Sequence, residues 1–358
     1  AITAASSGAK VILADEDFLM GGRLNTESSK IDGISGSKWS KDTVAKLSVM
    51  ENVTLMPDTT IFGVYDHGIY GAIENRSSEA REDNDKPRQV NWRIYAKRSI
   101  LCAGAIERSI AFGNNDRPGI MLASAVRAYT NRFAVATGDK VSVYTNNDDG
   151  WTTARDLVLK NIRVVAVIDS RSIKPVLRVP GAEIFMGTDV VDTKGRRALK
   201  SIKLSNGKTI DCDSLAVSGG WNPNLHLTCH HRGIPKWNEE IASFIPDELT
   251  PPGMLVAGRA KGTMVLSDAI IEGHNVGSSV ASGLGYKVKT SDPAKTPSVS
   301  YNVSANWGVP SGKNRAWVDL QNDVTVKDIR LANQEGFKSV EHVKRYTTLG
   351  MATDQGKT

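Results

Sequence analysis

The sequence has few cysteines and no long apolar run. Its 358 residues include three cysteines, Cys102, Cys212 and Cys229, whose spacing fits neither a disulfide framework nor a metal-binding pair. No segment approaches the ~18 consecutive apolar residues that a membrane span requires. The N-terminus also lacks the basic region and apolar core of a secretory signal. These absences predict a protein of the reducing cytoplasm that does not insert into a membrane.

Aromatic residues are scarce as well, at 6% of the chain, and they do not alternate with lysine and arginine. The formal net charge is +6, but nucleic-acid recognition requires a basic stripe or patch, and the basic residues here are scattered. We therefore predict no nucleic-acid partner and interpret the charge as favouring anionic small ligands. The hydrophobic content of 40% and the charged content of 23% are ordinary for a globular protein, and the length predicts two or three domains.

The sequence has no glycine-rich loop before the strand that begins at Val11, although a dinucleotide-binding unit would have one there. Residues 11–25 read VILADEDFLMGGRLN, which is an apolar strand, three acids, two glycines and an arginine. In a Rossmann-type unit, the acid at the tip of the second strand binds a ribose roughly 20 residues after the pyrophosphate-binding glycines. Counting back from Glu16 puts those glycines before Ala1. We therefore expect a truncated first domain, without its first strand and main phosphate contact, that binds NAD weakly or not at all by itself.

The residues after this strand are candidate nucleotide contacts. Asp15 and Glu16 are predicted to reach a ribose edge, whereas Asp17 points into the loop. The three acids alone also fit a turn without a ligand, but the residues that follow favour a nucleotide. Gly21 and Gly22 would let the backbone approach a pyrophosphate, and Arg23 would offer it a guanidinium. Arg23 could instead contact the adenine, and a later strand places the backbone of Ile61 near that base.

A second unit follows the same plan with altered chemistry. Residues 140–171 have the strand, loop, helix and strand of another Rossmann half, with Asp169 in the acidic position. Its loop, NNDDGW at residues 146–151, keeps one glycine and puts two carboxylates where backbone amides should meet a diphosphate. This half is predicted to have the shape of a nucleotide site without its phosphate contacts.

These segments predict an α/β fold with two dinucleotide-binding, Rossmann-like, three-layer domains. The last residues resemble a small helical module of known proteins, and this resemblance implies a third, helical domain at the end. The expected boundaries are residues 1–112 and 225–288 for an NAD-binding domain, 113–224 for the inserted second domain, 289–315 for a linker and 316–358 for the helical domain.

Four segments carry a resemblance to a known family. They are GGRL at 21–24, CAGAIERSIAFGNNDRPGIMLASA at 102–125, VSGGWNPNLHL at 217–227 and MLVAGRAKG at 254–262. In this order they resemble the two-domain FAD/NAD-binding flavoproteins and, more narrowly, the alpha subunits of heterotetrameric sarcosine oxidases. Opine and amino-acid dehydrogenases are broader relatives. The resemblance covers nearly the whole chain, so it is far more specific than one glycine motif.

The last 41 residues, 318–358, are similar to a small helical module that holds a [2Fe-2S] cluster in opine-dehydrogenase-like relatives. By this resemblance, cluster cysteines would fall at Asp319, Gln321 and Asp354. None of these is a thiolate, which iron–sulfur clusters require, so we predict no iron–sulfur cluster. This favours the sarcosine oxidases. Gly336 and Gly350 are predicted to follow the ends of two short helices.

The resemblance implies a division of labour between subunits. A beta subunit carries the FAD at which sarcosine is demethylated to glycine, and electrons pass to an FMN at the interface of the alpha and beta subunits. Oxygen accepts them and gives H2O2, and the one-carbon unit leaves as formaldehyde or 5,10-methylenetetrahydrofolate. Smaller gamma and delta subunits complete the complex. The alpha subunit binds NAD, and its folate domain would lie beyond Thr358.

The resemblance also implies nucleotide contacts at the last strand, where the pyrophosphate and nicotinamide would be lined by Gly258, Ala260, Gly262, Val265 and Ser267. Flavoproteins of this fold usually have Gly-Asp at this strand, whereas this sequence has Gly258-Arg259. The change favours NAD over FAD, or an anionic group held by Arg259.

Two alternatives and two local predictions remain. The chain could be the alpha subunit of an opine or amino-acid dehydrogenase, or a structural subunit that binds a nucleotide without redox turnover. Cys229, His230 and His231 are adjacent, so they project in different directions, and we predict no metal site there. Glu107 and Arg108 are predicted to form an ion pair.

Overall fold

A computed structural model of the chain describes residues 1–76, 85, 87–289, 291–310, 314–353 and 356. The chain divides into two units, residues 1–105 with 223–300 and residues 106–222 with 301–358. The short strands β9 (Ala105–Glu107) and β18 (Trp221–Pro223) cover two of the points where the chain passes between units.

Among its described residues, the first unit has two α-helices before the chain passes to the second unit and one after it returns. Its elements in chain order are α1 (Ile2–Ser6), β1 (Val11–Ala14), β2 (Lys30–Ile31), β3 (Ile34–Ser35), α2 (Gly36–Ser48), β4 (Val53–Met56), β5 (Thr59–Tyr65), β6 (Ile69–Asn75), β7 (Gln89–Tyr95), β8 (Ser99–Leu101), β19 (Lys236–Asn238), β20 (Ser243–Ile245), β21 (Met254–Val256) and α5 (Leu266–Gly283).

Parallel pairing organises the first unit. Strand β1 runs parallel to β4, and β8 runs parallel to β21. Strands β5, β6 and β7 form an antiparallel sheet whose inner face contributes Val64 and Tyr70 to a buried cluster with Leu227 and Met254. Removing such side chains from water stabilises each by roughly 1.5–3 kcal/mol. The parallel pair β8 and β21 contributes Leu101 and Met254 to this cluster and is therefore packed on an apolar core.

The second unit holds a larger sheet and the C-terminal module. Its elements in chain order are β10 (Ile120–Leu122), α3 (Ala123–Phe133), β11 (Val141–Thr145), α4 (Asp148–Leu159), β12 (Val164–Asp169), β13 (Glu183–Met186), β14 (Val190–Lys194), β15 (Ser201–Leu204), β16 (Thr209–Asp211), β17 (Ser214–Ser218), β22 (Trp317–Asp319), β23 (Val324–Thr325), α6 (Val326–Gln334) and α7 (Val340–Thr347).

Five parallel strands in the order β10, β17, β11, β12 and β13 form the main sheet of this unit. Every residue of β11 is buried, as expected for an internal strand of a parallel sheet with both faces covered. Trp151 on α4 is completely buried in the cluster on one face. The strand, helix and strand predicted for residues 140–171 are confirmed by β11, α4 and β12.

The C-terminal module is a β-hairpin, β22 and β23, followed by α6 and α7. Thr325 and Asp328 form a capping box that satisfies the first backbone amides of α6. Gly336 and Gly350 adopt positive φ angles shortly after the two helices end. These are the helix ends predicted from the sequence. No helix in the described part of the chain is long and apolar enough to cross a membrane.

Candidate functional site

The acidic tip of β1 lies between two other strands of the first unit. Asp15 N donates to Met56 O at 3.0 Å, at the end of β4, and Thr59 N donates to Asp15 O at 2.8 Å, at the start of β5. The tip is therefore the carboxyl end of the parallel pair β1 and β4. Open α/β sheets bind their ligands outside this end of the strands.

The three acids at the tip differ in availability. Asp15 Oδ1 accepts from Asp17 N at 3.1 Å, and Asp17 Oδ1 accepts from Leu19 N at 3.0 Å, so both carboxylates stabilise the turn. Glu16 is exposed and makes no hydrogen bond or ion pair with other described residues. Its whole carboxylate, like the second oxygen of Asp15, is an acceptor that the described part of the fold does not use.

The residues after the tip have structural partners that the sequence did not reveal. Gly21 has φ +134°, and a Cβ there would lie 2.0 Å from Ser40 Oγ on α2. Its missing side chain thus allows the loop to approach the helix. Gly22 has φ +54° and open space around it. The Arg23 guanidinium pairs with Glu27, four residues later and beyond the end of the short 3-10 helix Gly22–Asn25.

Ile61 is the second residue after Thr59, which bonds to the acidic tip, so it lies in the same region. It pairs with Ala72 on β6, and its side chain packs against the buried cluster of the first unit. Ile61 is thus held in a fixed sheet, and it belongs with residues 15–23 to one group of candidate contacts.

The second group of candidates forms the turn after β21. Gly258 begins a 3-10 helix, Gly258–Lys261, with φ +67°, and Ala260 in it is completely buried. Gly262 has φ +102°, and a Cβ there would lie 2.8 Å from Ile245 Cγ2. Val265 immediately precedes helix α5. Both glycines are therefore required by backbone conformation, whatever ligand this turn meets.

Two side chains of α5 complete this turn. Ser267 Oγ donates to Asp268 Oδ1 at 3.1 Å in the first turn of the helix. Glu272 accepts from Gly258 N at 2.7 Å, from Thr263 Oγ1 at 2.8 Å and from Lys261 Nζ at 2.7 Å. Partial burial opposes ionisation of Glu272, but these donors outweigh it and lower its pKa. The sequence analysis missed Glu272, although it is the one acid in the otherwise apolar and small-residue stretch AIIEGHNVGSSVA.

The altered loop of the second unit is bonded to a later segment of its own chain. Asp148 N donates to Asn302 O at 3.1 Å, and Asp148 Oδ2 accepts from Asn302 N at 2.9 Å. Asn146 Nδ2 donates to Ser304 O at 2.8 Å. The groups of this loop that would face a diphosphate therefore bond to residues 302–304.

Asp169, the predicted ribose acid of this second half, also has internal partners. It is completely buried, and its carboxylate accepts from Trp151 Nε1 at 2.7 Å and from Arg171 Nη2 at 2.7 Å. The same guanidinium bonds to Asp148 Oδ1 at 2.8 Å. A nucleotide ribose could reach Asp169 only by displacing these buried bonds.

Glu107 corrects one prediction. Its carboxylate accepts from Ser218 Oγ and from Ser124 N, each at 2.6 Å, and it does not pair with Arg108. The Arg108 guanidinium instead lies 4.3 Å from the centre of the Trp307 ring. The predicted ion pair is therefore wrong. Burial raises the pKa of Glu107 to about 7, and the charge of nearby Asp149 adds to this, against the hydrogen bonds that favour ionisation.

His230 and His231 lie in the first unit, where His230 bonds to the backbone of strand β5. His230 Nδ1 accepts from Val64 N at 3.2 Å, and Cys229 Sγ lies 3.6 Å from Leu225 O. Across the residues that the structure describes, no group of three or more histidine, cysteine or acidic side chains is arranged to hold a metal ion.

Asp319 occupies the first of the predicted cluster positions. Its carboxylate accepts from the backbone amides of Gln321 and Asn322, each at 2.9 Å, and from Gly350 N at 2.8 Å. Burial opposes ionisation, but these amides together lower its pKa. These oxygen and amide groups do not fit a [2Fe-2S] cluster, which needs thiolates. Asp354, the third position, lies outside the described residues.

Comparison with solved structures identifies the fold. The chain superposes on L-proline dehydrogenase from P. horikoshii with a TM-score of 0.75 at 20% identity, covering 99% of this chain and 68% of that one. Thioredoxin reductase from T. acidophilum gives a TM-score of 0.57 at 15% identity over 79% of this chain and 93% of that one. The predicted fold class, that of the FAD/NAD-binding oxidoreductases, is confirmed.

Comparison of sequences extends the likeness. The chain is 40% identical over its full length to the sarcosine oxidase subunit alpha of Rhizobium meliloti (strain 1021). It is 35% identical over 99% of its length to that of Corynebacterium sp. (strain P-1). It spans 37% and 39% of these two relatives. Residues 313–358 match the family described as the sarcosine oxidase A3 domain. The predicted resemblance is confirmed: this chain is similar, from end to end, to part of the alpha subunits of sarcosine oxidase.

Proposed function

We propose that this chain is the NAD-binding portion of a sarcosine oxidase alpha subunit and works as part of an oxidoreductase complex. The complex would oxidise sarcosine to glycine with O2 as acceptor, and would release H2O2 with formaldehyde or 5,10-methylenetetrahydrofolate. Sequence identity of 35–40% to such subunits along the whole chain supports this assignment.

The observation that carries the NAD site is the unused carboxylate of Glu16 at the carboxyl end of β1 and β4. Glu16 and the second oxygen of Asp15 would accept hydrogen bonds from the hydroxyl groups of the adenosine ribose. Asp17 would hold the turn, and Gly21 and Gly22 would flank the phosphates. Arg23 would bind a phosphate or the adenine, and the backbone of Ile61 would contact the adenine. When bound, NAD supplies an acceptor for hydride.

The internal bonds of the second unit favour a single dinucleotide site. Asp148 and Asp169 each have buried partners within that unit, whereas Glu16 has none in the described part of the first. Burying further negative charge beside these carboxylates would require new compensation. We therefore expect one NAD for each chain, bound by the first unit.

The remaining cofactors and partners belong to the same proposal. A beta subunit would carry FAD and share an FMN with this chain at their interface, and small gamma and delta subunits would complete the complex. The name of the relatives, subunit alpha, supports the existence of other subunits. We assign no residue of this chain to the FMN.

Titration of NAD against the full-length protein, purified with its accompanying subunits, tests the proposed site. Replacing Glu16 by Gln keeps the size of the side chain and removes its charge, so NAD affinity should fall about tenfold through loss of a charged hydrogen bond. Glu51→Gln is the matched control, because Glu51 is exposed just before β4, at the opposite end of the strand pair. Equal affinity in the wild type and in Glu16→Gln would reject this site.

A nucleotide-binding subunit without redox turnover is the second candidate. It is favoured by the second unit, where Asp148 and Asp169 bond to other residues of the unit at the place where a nucleotide would bind. The visible spectrum of the purified complex separates the two. Flavin absorbance that is lost when the accompanying subunits are removed supports the oxidase. Absence of flavin from the intact complex supports the structural role. The third candidate is an opine or amino-acid dehydrogenase, whose C-terminal module would hold a [2Fe-2S] cluster. It is disfavoured because Asp319, at a predicted cluster position, bonds to backbone amides and offers no thiolate.

A further inference from the structure

Glu272 lies at the ligand-binding edge of the second strand pair. It is on α5, but it bonds to the turn that follows β21. Ala257 N, just after β21, donates to Leu101 O at 3.0 Å, at the end of β8. The carboxylate is therefore beside the carboxyl ends of the parallel strands β8 and β21, the edge at which α/β sheets bind ligands.

The carboxylate still has room for another donor. An ionised carboxylate offers about four acceptor sites, and Glu272 uses three of them for Gly258 N, Thr263 Oγ1 and Lys261 Nζ. Its side chain is 16% exposed. One acceptor position is thus open to a donor that arrives from solvent.

The same bonds make this turn unsuitable for a phosphate. Besides the Arg259 guanidinium, the groups of this turn that would attract an anion include the Gly258 amide and the Lys261 ammonium, and both of these are bonded to Glu272. A diphosphate bound to this turn would lie beside the Glu272 carboxylate, and the two negative charges would repel each other. A sugar hydroxyl, in contrast, can donate a hydrogen bond to that carboxylate.

We infer that Glu272 binds a hydroxyl group of the second ribose of NAD, the one that carries the nicotinamide, so that this turn is a sugar subsite and not a phosphate subsite. The inference builds on the proposed NAD site. It narrows the expectation that Gly258 and Gly262 line both the pyrophosphate and the nicotinamide. Related flavoproteins have Gly-Asp where this sequence has Gly258-Arg259, and the carboxylate that this pair lacks would come from Glu272 on helix α5.

Three ligands of increasing length test this inference in the full-length protein with its accompanying subunits. ADP contains only the adenosine ribose, ADP-ribose adds the second ribose, and NAD adds the nicotinamide. Glu272→Gln should weaken ADP-ribose and NAD about tenfold, through loss of a charged acceptor, and should leave ADP unchanged. Glu51→Gln serves again as the control and should change none of the three affinities.

A second variant separates sugar from phosphate without disturbing the turn. Lys261 has a largely exposed side chain. Lys261→Met removes a donor that competes for Glu272, so NAD and ADP-ribose should bind as well as before or more tightly. If the turn held a phosphate, loss of this cation would weaken both. This variant remains informative if Glu272→Gln does not fold.

Several results would overturn the inference. They are equal ADP-ribose affinity in the wild type and Glu272→Gln, an equal loss of ADP and ADP-ribose in that variant, or weaker ADP-ribose binding in Lys261→Met. If the wild type binds NAD and ADP but Glu272→Gln changes neither NAD nor ADP-ribose, the NAD site stands and only the role of Glu272 fails. If the wild type binds none of the three ligands, the proposed function itself fails.

Discussion

Replacing Glu107 by Gln should stabilise the second unit, and more so as the pH rises. The buried carboxyl has a pKa of about 7 against 4.5 for an ordinary glutamate. Between these values the folded state holds a proton that the unfolded state has released, so the wild type loses stability as the pH increases through this window. A shift of this size corresponds to about 3 kcal/mol once the pH is well above 7.

Glutamine does not titrate and can keep both hydrogen bonds. Its oxygen would accept from Ser124 N, and its amide would donate to Ser218 Oγ, the two partners that Glu107 has now. We therefore expect the wild type and Glu107→Gln to be equally stable, within about 1 kcal/mol, at pH 4.5. At pH 8 the variant should be more stable by about 3 kcal/mol.

Hydrogen exchange at the Ser124 amide is a suitable assay, because it reports the opening of the second unit even if other parts unfold separately. Exchange should be measured in urea from pH 5 to pH 8, after correction for the intrinsic rate. Asp116→Asn, which changes an exposed acid of the same unit, is the control and should show no pH-dependent difference. A stability difference that does not grow with pH, or a variant weaker than the wild type at pH 8, would refute the reasoning.

Three further changes have defined outcomes. Gly21→Ala should lower the unfolding free energy by about 2 kcal/mol in urea melts, because its Cβ would meet Ser40 Oγ at a positive φ angle; no change would contradict that packing. Asp319→Asn should speed amide exchange in the C-terminal module by about tenfold at pH 7, and the difference should shrink as the pH falls below the ordinary aspartate pKa of 3.8 and through the lowered pKa of Asp319 in the folded wild type. Arg171→Met should cost about 3–5 kcal/mol in thermal unfolding, because two buried carboxylates lose their cation; a loss under about 1 kcal/mol would argue against these ion pairs.

Local patterns predicted the second unit well. Strand β11, VSVYT, is a run of buried residues that combines Val and Tyr with Ser and Thr and ends two residues before Asn147. The Asn147 side chain caps α4 by accepting from Asp149 N. Both signals lie within a few residues of the element they specify, so one sequence is enough to find them.

The partners that lie far along the chain could not be predicted. Asp148 bonds to Asn302, and Glu272 to Gly258, and no periodicity connects such positions. Gly21 shows a different limit. The sequence indicated that position 21 has no room for a Cβ, but a close pyrophosphate and a close neighbouring helix would each exclude a Cβ in the same way. Only the positions of the atoms identify that neighbour as Ser40.

The segment at residues 302–304 gives the second unit a property that the first does not share. A cofactor stabilises the protein that binds it in proportion to the logarithm of its concentration. A peptide segment of the same chain is always present, at an effective concentration fixed by its tether. The second unit should therefore keep the same melting behaviour whether the cell is rich or poor in NAD. Only the first unit would sense that supply.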